Sequence, residues 1–346
     1  MGEITLTNNA PQETIGVILL NLGGPDSIQA VKPFLYNLFS DRQIIQLGPP
    51  FMQRPLARLI SGLRSKKTER YYGLIGGRSP IVEITAAQAA ALETELNSSV
   101  VTDSLSPAFR VYTGMRYWHP LIEDVIPGMK ADGIKKIIGL GLYPQYSVAT
   151  SGSSFSKFDE VVSLHQMEAL RIESWYDNPH YIDALVYVIK KGLGSFPPSS
   201  VSAPSSASGE IHVLFSAHSL PKKIIDQGDP YVDQIKGTIS EILKKMDIKW
   251  HLSYQSKSGP VKWLEPSTEE KIRELAKEGV RNLLVVPISF VSDHIETLYE
   301  IDILYRDFAE SLGIHLRRVE SLNTLPLFIK ALKDVVLGCM ASKGWF

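Results

Sequence analysis

A chain of 346 residues with 44% hydrophobic and 21% charged residues has the balance of a soluble globular protein, long enough for one large or two medium domains. A formal net charge of -1, with the eight histidines neutral, lacks the cationic excess that nucleic-acid binding requires, so the expected partner is a small molecule. The single Cys339 excludes an internal disulfide and a cysteine-ligated zinc or iron–sulfur centre, and points to a reducing compartment.

Residues 1–14 are polar, with neither the apolar stretch nor the basic cluster of a signal peptide, and no run reaches the roughly 18–20 apolar residues of a membrane span. The expected location is the cytoplasm. Ile15 to Leu20 reads as a buried strand that ends in Asn21-Leu22-Gly23-Gly24-Pro25, a tight turn without either phosphate-loop pattern. Residues 33–72 are apolar and cationic, with Phe34, Tyr36, Phe39 and Phe51 interleaved with Arg42, Arg54, Arg58 and Arg64 and acidic residues nearly absent. Three readings suit this stretch: a lip over an amphiphilic anionic ligand, a patch that touches anionic lipid, or a helical excursion packed on the core with snorkelling arginines.

After the turn Ile75-Gly-Gly-Arg78-Ser-Pro80 and a helix over 85–96, a strand at 109–114 runs into Met115-Arg116-Tyr117-Trp118-His119-Pro120. The strand at 134–142 runs into Tyr143-Pro144-Gln145-Tyr146-Ser147, followed by a hydroxyl-rich helix start, a helix over 155–169 and a short strand at 171–175. Residues 195–209 are rich in Ser and Pro and read as a surface loop. Beyond it, a strand at 211–215 runs into Ser216-Ala217-His218-Ser219-Leu220-Pro221, one at 249–254 into Gln255-Ser256-Lys257-Ser258-Gly259-Pro260, and one at 282–290 into Val291-Ser292-Asp293-His294-Ile295-Glu296. A helix from Ser292 or Asp293 would put Asp293, Glu296 and Glu300 on one face, either as a working row or as an acidic first turn favoured by the helix dipole.

The strand ends echo each other in two sets. IGVILLNLGGP matches IHVLFSAHSLP, RVYTGMRYWHP matches HLSYQSKSGP, and DGIKKIIGLGLYPQYS matches EGVRNLLVVPISFVSDH. The pairing predicts an α/β protein of two similar domains, each a parallel sheet flanked by helices, with their strand C-termini facing one cleft. His218 and His294 each sit in a polar run just past an apolar strand, the position where a titratable group does chemistry. A neutral histidine beside a carboxylate, with no GxSxG and no HExxH, fits proton abstraction or loose binding of a divalent metal. Tyr36, Tyr117, Tyr143 and Trp263 add the aromatic surface that a flat, apolar ligand needs.

The motifs LLNLGGP, IGGRSPI, YPQYS followed by TSGSS, FSAHSLP, GDPY, YQSKSGPVKWLEP and SDHIETLYEID resemble, in order over about residues 15 to 335, those of the ferrochelatases, which insert Fe²⁺ into a porphyrin. The resemblance implies two Rossmann-like domains of the chelatase kind around a porphyrin cleft. They are expected at 1–155, with the apolar lip at about 33–72 and completion by the C-terminal helix at about 325–346, and at 156–324. It implies His218 and Glu296 as the catalytic pair and metal contacts, with Asp293, His294 and Glu300 along a path for protons or metal. Leu22, Tyr117 and Trp263 would be walls of the porphyrin site, Tyr36 and Tyr143 further contacts, and Arg116 and Lys257 cationic partners of its carboxylates.

Leu22 and the QSKSGPVKWLEP stretch favour protoporphyrin IX over coproporphyrin III, with a cobalt chelatase or a non-catalytic porphyrin carrier as the remaining alternatives. Gly73-Leu74 stand where the family often has a basic residue, and Leu304 replaces a later acidic one. Fe²⁺ is expected as substrate rather than as a bound cofactor, and a [2Fe–2S] cluster is not expected, since the Cys-rich extension that would hold one is missing.

Overall fold

The computed structural model describes residues 13–98, 107–197 and 209–345; most of the expected Ser/Pro loop and the residues before 13 lie outside the described part. The chain runs β1 (Thr14–Asn21), α1 (Val31–Ser40), α2 (Gln53–Leu74), α3 (Ile81–Asn97), β2 (Ala108–Met115), α4 (Ile122–Ala131) and β3 (Lys136–Gly141). It continues with a short π-helical turn (Val148–Gly152), α5 (Ser153–His165), β4 (Glu168–Ile172), α6 (Pro179–Gly194), β5 (Ile211–His218), α7 (Lys222–Asp226) and α8 (Tyr231–Leu243). Then come β6 (Trp250–Gln255), α9 (Thr268–Lys277), β7 (Asn282–Pro287), a longer π-helix (Glu296–Tyr305), α10 (Arg306–Ser311), β8 (His315–Arg318) and α11 (Pro326–Lys343).

The strands form two four-stranded sheets, β2-β1-β3-β4 and β6-β5-β7-β8, and every ladder is parallel. The orders are the same, second-first-third-fourth, so the three pairs of echoing strand ends occupy equivalent places in the two sheets. Continuous apolar runs such as Val17 to Leu20 and Leu283 to Val286 are fully buried because helices cover both faces. Such sheets bind ligands beyond the carboxyl ends of their strands, which is where both sheets end in polar bursts.

The strand expected at 171–175 starts three residues earlier, at Glu168, and stops at Ile172. Beyond it the chain turns back: Trp175 donates from its backbone to Pro144 O at 2.9 Å and from its indole to Gly141 O at 2.8 Å, so its hydrogen bonds are spent on β3's exit loop. β7 likewise ends at Pro287, short of the expected 290, as Phe290 N–H closes a turn onto Pro287 O at 3.1 Å. Sheet membership changes between β4 and β5, so β4 belongs to the first sheet although it lies past residue 155, where the division was expected.

One apolar core runs through both halves. It takes Val17 and Leu140 from the first sheet, Val213, Phe215 and Val286 from the second, and Phe328, Leu332 and Val336 from α11. Helix α11 packs on both α3 and α6. The Gly-Gly-Pro turn after β1 requires its glycines: Gly23 has φ +83°, and a Cβ on Gly24 would lie 2.6 Å from the Ser79 side chain, where the IGGRSP turn docks.

Candidate active site

A cleft with a volume of about 1230 Å³ opens between the C-terminal ends of the two sheets. Pockets for drug-sized ligands hold roughly 300–1,000 Å³, so this one suits a larger molecule. Its first-half wall is Leu22 with Phe34, Leu35, Leu38 and Phe39 of α1 and Ile44 and Ile45 beyond it, and its second-half wall is Leu220, Val261, Trp263, Phe290 and Ile295. Arg42 and Arg64 from the first half and Lys222, Lys223 and Lys262 from the second also line it. Residues 33–72 therefore form the cleft's lip, built from α1 and α2, while Phe51, Leu59 and Leu63 are exposed on its outside.

His218 and Glu296 meet on the second-half side. The Nδ1–H of His218, the last residue of β5, donates to Glu296 Oε2 at 2.7 Å. The His218 backbone is fixed from two directions: its N–H donates to Ser289 Oγ at 2.9 Å, and its carbonyl accepts from Tyr231 OH at 3.0 Å. Because Nδ1 is committed to the carboxylate, Nε2 is the ring nitrogen left to take a proton, and the side chain keeps 32% of its surface accessible. Burial alone would lower the His218 pKa, but the Glu296 charge and hydrogen bond outweigh it and raise it. Burial would lift Glu296, yet the attraction of His218 brings it down to about 2, so the carboxylate is ionised whenever the pair is intact.

Glu300 lies one turn on, and it is different in character. Burial and the Glu296 charge push it up to about 7, against hydrogen bonds from Ser256 at 2.6 Å and Gln255 at 3.2 Å. The helix carrying both is a π-helix from Glu296 to Tyr305, wider than the α-helix expected from the sequence, and π turns occur frequently at functional sites. Tyr299, on the same helix, stacks on Tyr71 of α2 with ring centroids 4.1 Å apart, which ties the lip to the acidic side.

Asp293 leaves the row. Its carboxylate pairs with Arg318 at 3.0 Å and accepts from Ser321 at 2.7 Å and Asn323 at 2.9 Å, and it is absent from the cleft lining. The three carboxylates do not share one face because Asp293 precedes the helix, where β8 and the loop after it supply better partners than the cleft does. His294 does line the cleft, edge-on to Phe290 at 4.6 Å, with Nδ1–H donating to Ser292 O at 2.9 Å. Burial holds its pKa below the ordinary value, so it stands as a neutral imidazole.

Of the other predicted contacts, Leu22, Tyr143 and Trp263 line the cleft. Tyr36, Arg116 and Tyr117 line a neighbouring cavity of about 260 Å³ instead. Arg116 is spent on Asp41 at 2.7 Å, and Asp41 also accepts from Tyr117 at 2.7 Å and Ser153 at 2.6 Å. Burial alone would raise Asp41, but the hydrogen bonds of Ser153 and Tyr117 keep its pKa below the usual carboxylate range. Lys257 turns to Glu270 at 3.6 Å and is also absent from the lining. The sequence reading missed Ser256, Gln255, Tyr71 and the cleft lysines. The signal for Ser256 was available in part, since it stands in a strand-end burst, the class of position that singled out His218, whereas Lys222 opens the helix after one.

Two parallel sheets of one topology, closing a cleft at their strand ends, define a chelatase-like α/β protein. Two solved structures share that fold: SirB from Bacillus subtilis with Fe3+, at TM-score 0.54 and 12% identity over 96% of this chain and 98% of that one, and the sirohydrochlorin chelatase SirB from B. subtilis subspecies spizizenii with cobalt, at TM-score 0.52 and 10% identity over the same shares. Closer kinship is in the sequence: the Ferrochelatase family model matches residues 14–338. The ferrochelatase of Geotalea uraniireducens is 48% identical over 96% of this chain and 100% of its own length, and that of Aquifex aeolicus 48% identical over 93% and 98%. The chain belongs to the ferrochelatase family.

Proposed function

We infer that the protein is a lyase that inserts Fe²⁺ into a porphyrin, with release of two protons, and that protoporphyrin IX is its substrate. The observation that carries the reading is the His218–Glu296 pair, 2.7 Å apart on the side of a large apolar cleft. Insertion must strip two pyrrole N–H protons. The protons can pass in turn to His218 Nε2, the first leaving to solvent before the second is taken, while Glu296 stabilises the imidazolium and offers an anionic oxygen to the incoming ion. The walls at Leu22 and Trp263 can hold the macrocycle bent, which exposes its nitrogen lone pairs to the metal. Fe²⁺ is substrate in this reading, and no resident cofactor is assigned.

Cations from both halves favour a second reading. Protoporphyrin IX carries two carboxylates and coproporphyrin III four, and Lys222, Lys223 and Lys262 line the cleft together with Arg42 and Arg64. Anaerobic mixing of the protein with either porphyrin and Fe²⁺ or Zn²⁺, followed by the loss of the free-base visible bands, separates the two. Faster turnover of coproporphyrin III overturns the protoporphyrin assignment, and tight porphyrin binding without metallation makes the protein a carrier.

No helix among the described residues is long and apolar enough to cross a membrane. The exposed Phe51, Leu59 and Leu63, flanked by Arg54, Arg58, Lys66 and Lys67, support a peripheral contact of the lip with an anionic membrane surface facing the cytoplasm.

A further inference from the structure

We propose that Ser256 is a positioning residue for metal insertion, its hydroxyl tying the carboxylates of Glu296 and Glu300 together on the cleft. Ser256 Oγ lies 2.8 Å from Glu296 Oε2 and 2.6 Å from Glu300 Oε2, and it lines the cleft with them. The inference rests on the reading of His218 and Glu296 as the insertion site.

The backbone is shaped for this contact. Gln255, the last residue of β6, is buried and points at the π-helix, donating to the Glu296 carbonyl at 2.9 Å and to Glu300 Oε2 at 3.2 Å. Its own amide oxygen is held by Ser216 Oγ at 2.7 Å, so Gln255 is a fixed prop. In a continuing strand the next side chain would point to the opposite face. Ser256 instead has φ +67°, which breaks the alternation and brings its hydroxyl to the same two carboxylates.

Two other described non-glycine residues have positive φ. Gln166 closes α5, where a left-handed residue is ordinary, and Asn323 is of the type that tolerates the region. Serine has no such preference, so the conformation at Ser256 is held by what its side chain reaches. A neutral hydroxyl between two acidic groups softens their mutual repulsion and fixes both rotamers before an ion arrives.

The test compares Ser256→Gly with wild type in anaerobic metallation. Glycine accepts the positive φ and removes the hydroxymethyl group, so the thermal midpoint should hold or rise. The expected result is an unchanged KM for porphyrin, with KM for Zn²⁺ or Fe²⁺ raised about tenfold or more and kcat lowered. Ser256→Asn, which tolerates the backbone and restores a donor, should recover part of the loss. If turnover is too low for a KM, Zn²⁺ affinity measured by competition with a chromophoric chelator must show the same weakening. Wild-type metal parameters in Ser256→Gly overturn the proposal, as does a loss confined to stability and porphyrin binding. Glu296→Gln run in parallel separates the two levels: if it turns over normally the site reading fails, whereas a dead Glu296→Gln beside a normal Ser256→Gly removes only the role of Ser256.

Discussion

His218 and Glu296 stand 78 residues apart in sequence, yet their side chains share a hydrogen bond of 2.7 Å, between the end of one strand and the first turn of a π-helix. Truncating either partner leaves the other buried without its charge complement. His218→Ala should lower the rate of metal insertion by about 10²-fold or more while porphyrin binding persists, and Glu296→Gln should do the same. Quenching of porphyrin fluorescence and anaerobic absorbance measure the two halves of this statement, and near-normal turnover in His218→Ala would remove the base assignment.

The pair also sets a pH window for stability. The folded pKa of His218 is raised, so its contribution is complete below the ordinary 6.5 and disappears as pH rises through the raised value. The folded pKa of Glu296 is depressed from 4.5 to about 2, so its contribution is present above 4.5 and is lost as pH falls toward 2. Thermal unfolding of wild type against His218→Ala should therefore differ most between about pH 4.5 and 6.5. A difference that is flat from pH 4 to 9 would contradict the ionised pair.

Glu300 titrates in the opposite sense to Glu296. Its folded pKa is raised to about 7, so the protonated form is favoured in the folded protein and wild type loses stability as pH climbs from 4.5 through 7. Glu300→Gln should match wild type near pH 4 and become the more stable of the two above pH 7. Denaturant midpoints at the two pH values decide it.

Asp293 is predicted to matter for the fold before it matters for metal. Its partner Arg318 keeps only 10% of its side-chain surface accessible and also binds Asp302 at 2.7 Å, so Asp293→Ala leaves a buried guanidinium half-matched. Removing one partner of a buried pair costs about 3–5 kcal/mol. Chemical denaturation should show a loss of that order; a stable variant with a raised metal KM would instead return Asp293 to the metal path.

Replacing Phe51, Leu59 and Leu63 together with Ser should weaken co-sedimentation with anionic vesicles at least about tenfold without changing turnover of porphyrin in detergent. Raising the salt concentration should weaken the wild-type attachment as well, because the flanking Arg and Lys are exposed. Binding equal to wild type would leave this surface without a lipid role.

The doubled parallel architecture was legible because each buried strand is a continuous apolar run that breaks into a polar burst, and the bursts recur in order. The same logic brought His218, Glu296 and Tyr143 to the cleft, while Leu22 and Trp263 were reached through the resemblance to the ferrochelatases. It mistook Arg116 because a burst does not say which way a long side chain turns: Asp41, 75 residues earlier, and Ser153 claim the guanidinium first. Asp293 was misplaced on the face because the helix was taken as regular, whereas its partners Arg318, Ser321 and Asn323 come from a later strand and loop that no local spacing reveals. Ser256 could be placed in a strand-end burst, but its reach to both carboxylates depends on a backbone angle, which residue type alone does not disclose.

Helix α11 closes the molecule, wedging Phe328, Leu332 and Val336 into a core that also holds strands from both sheets. During translation this segment emerges after every other element described. Until it docks, the helices α3 and α6 lack the neighbour that packs on both of them. The nascent chain can thus complete both sheets before the helix that packs on α3 and α6 is in place. Full assembly of the two-sheet core is deferred to the moment when α11 docks.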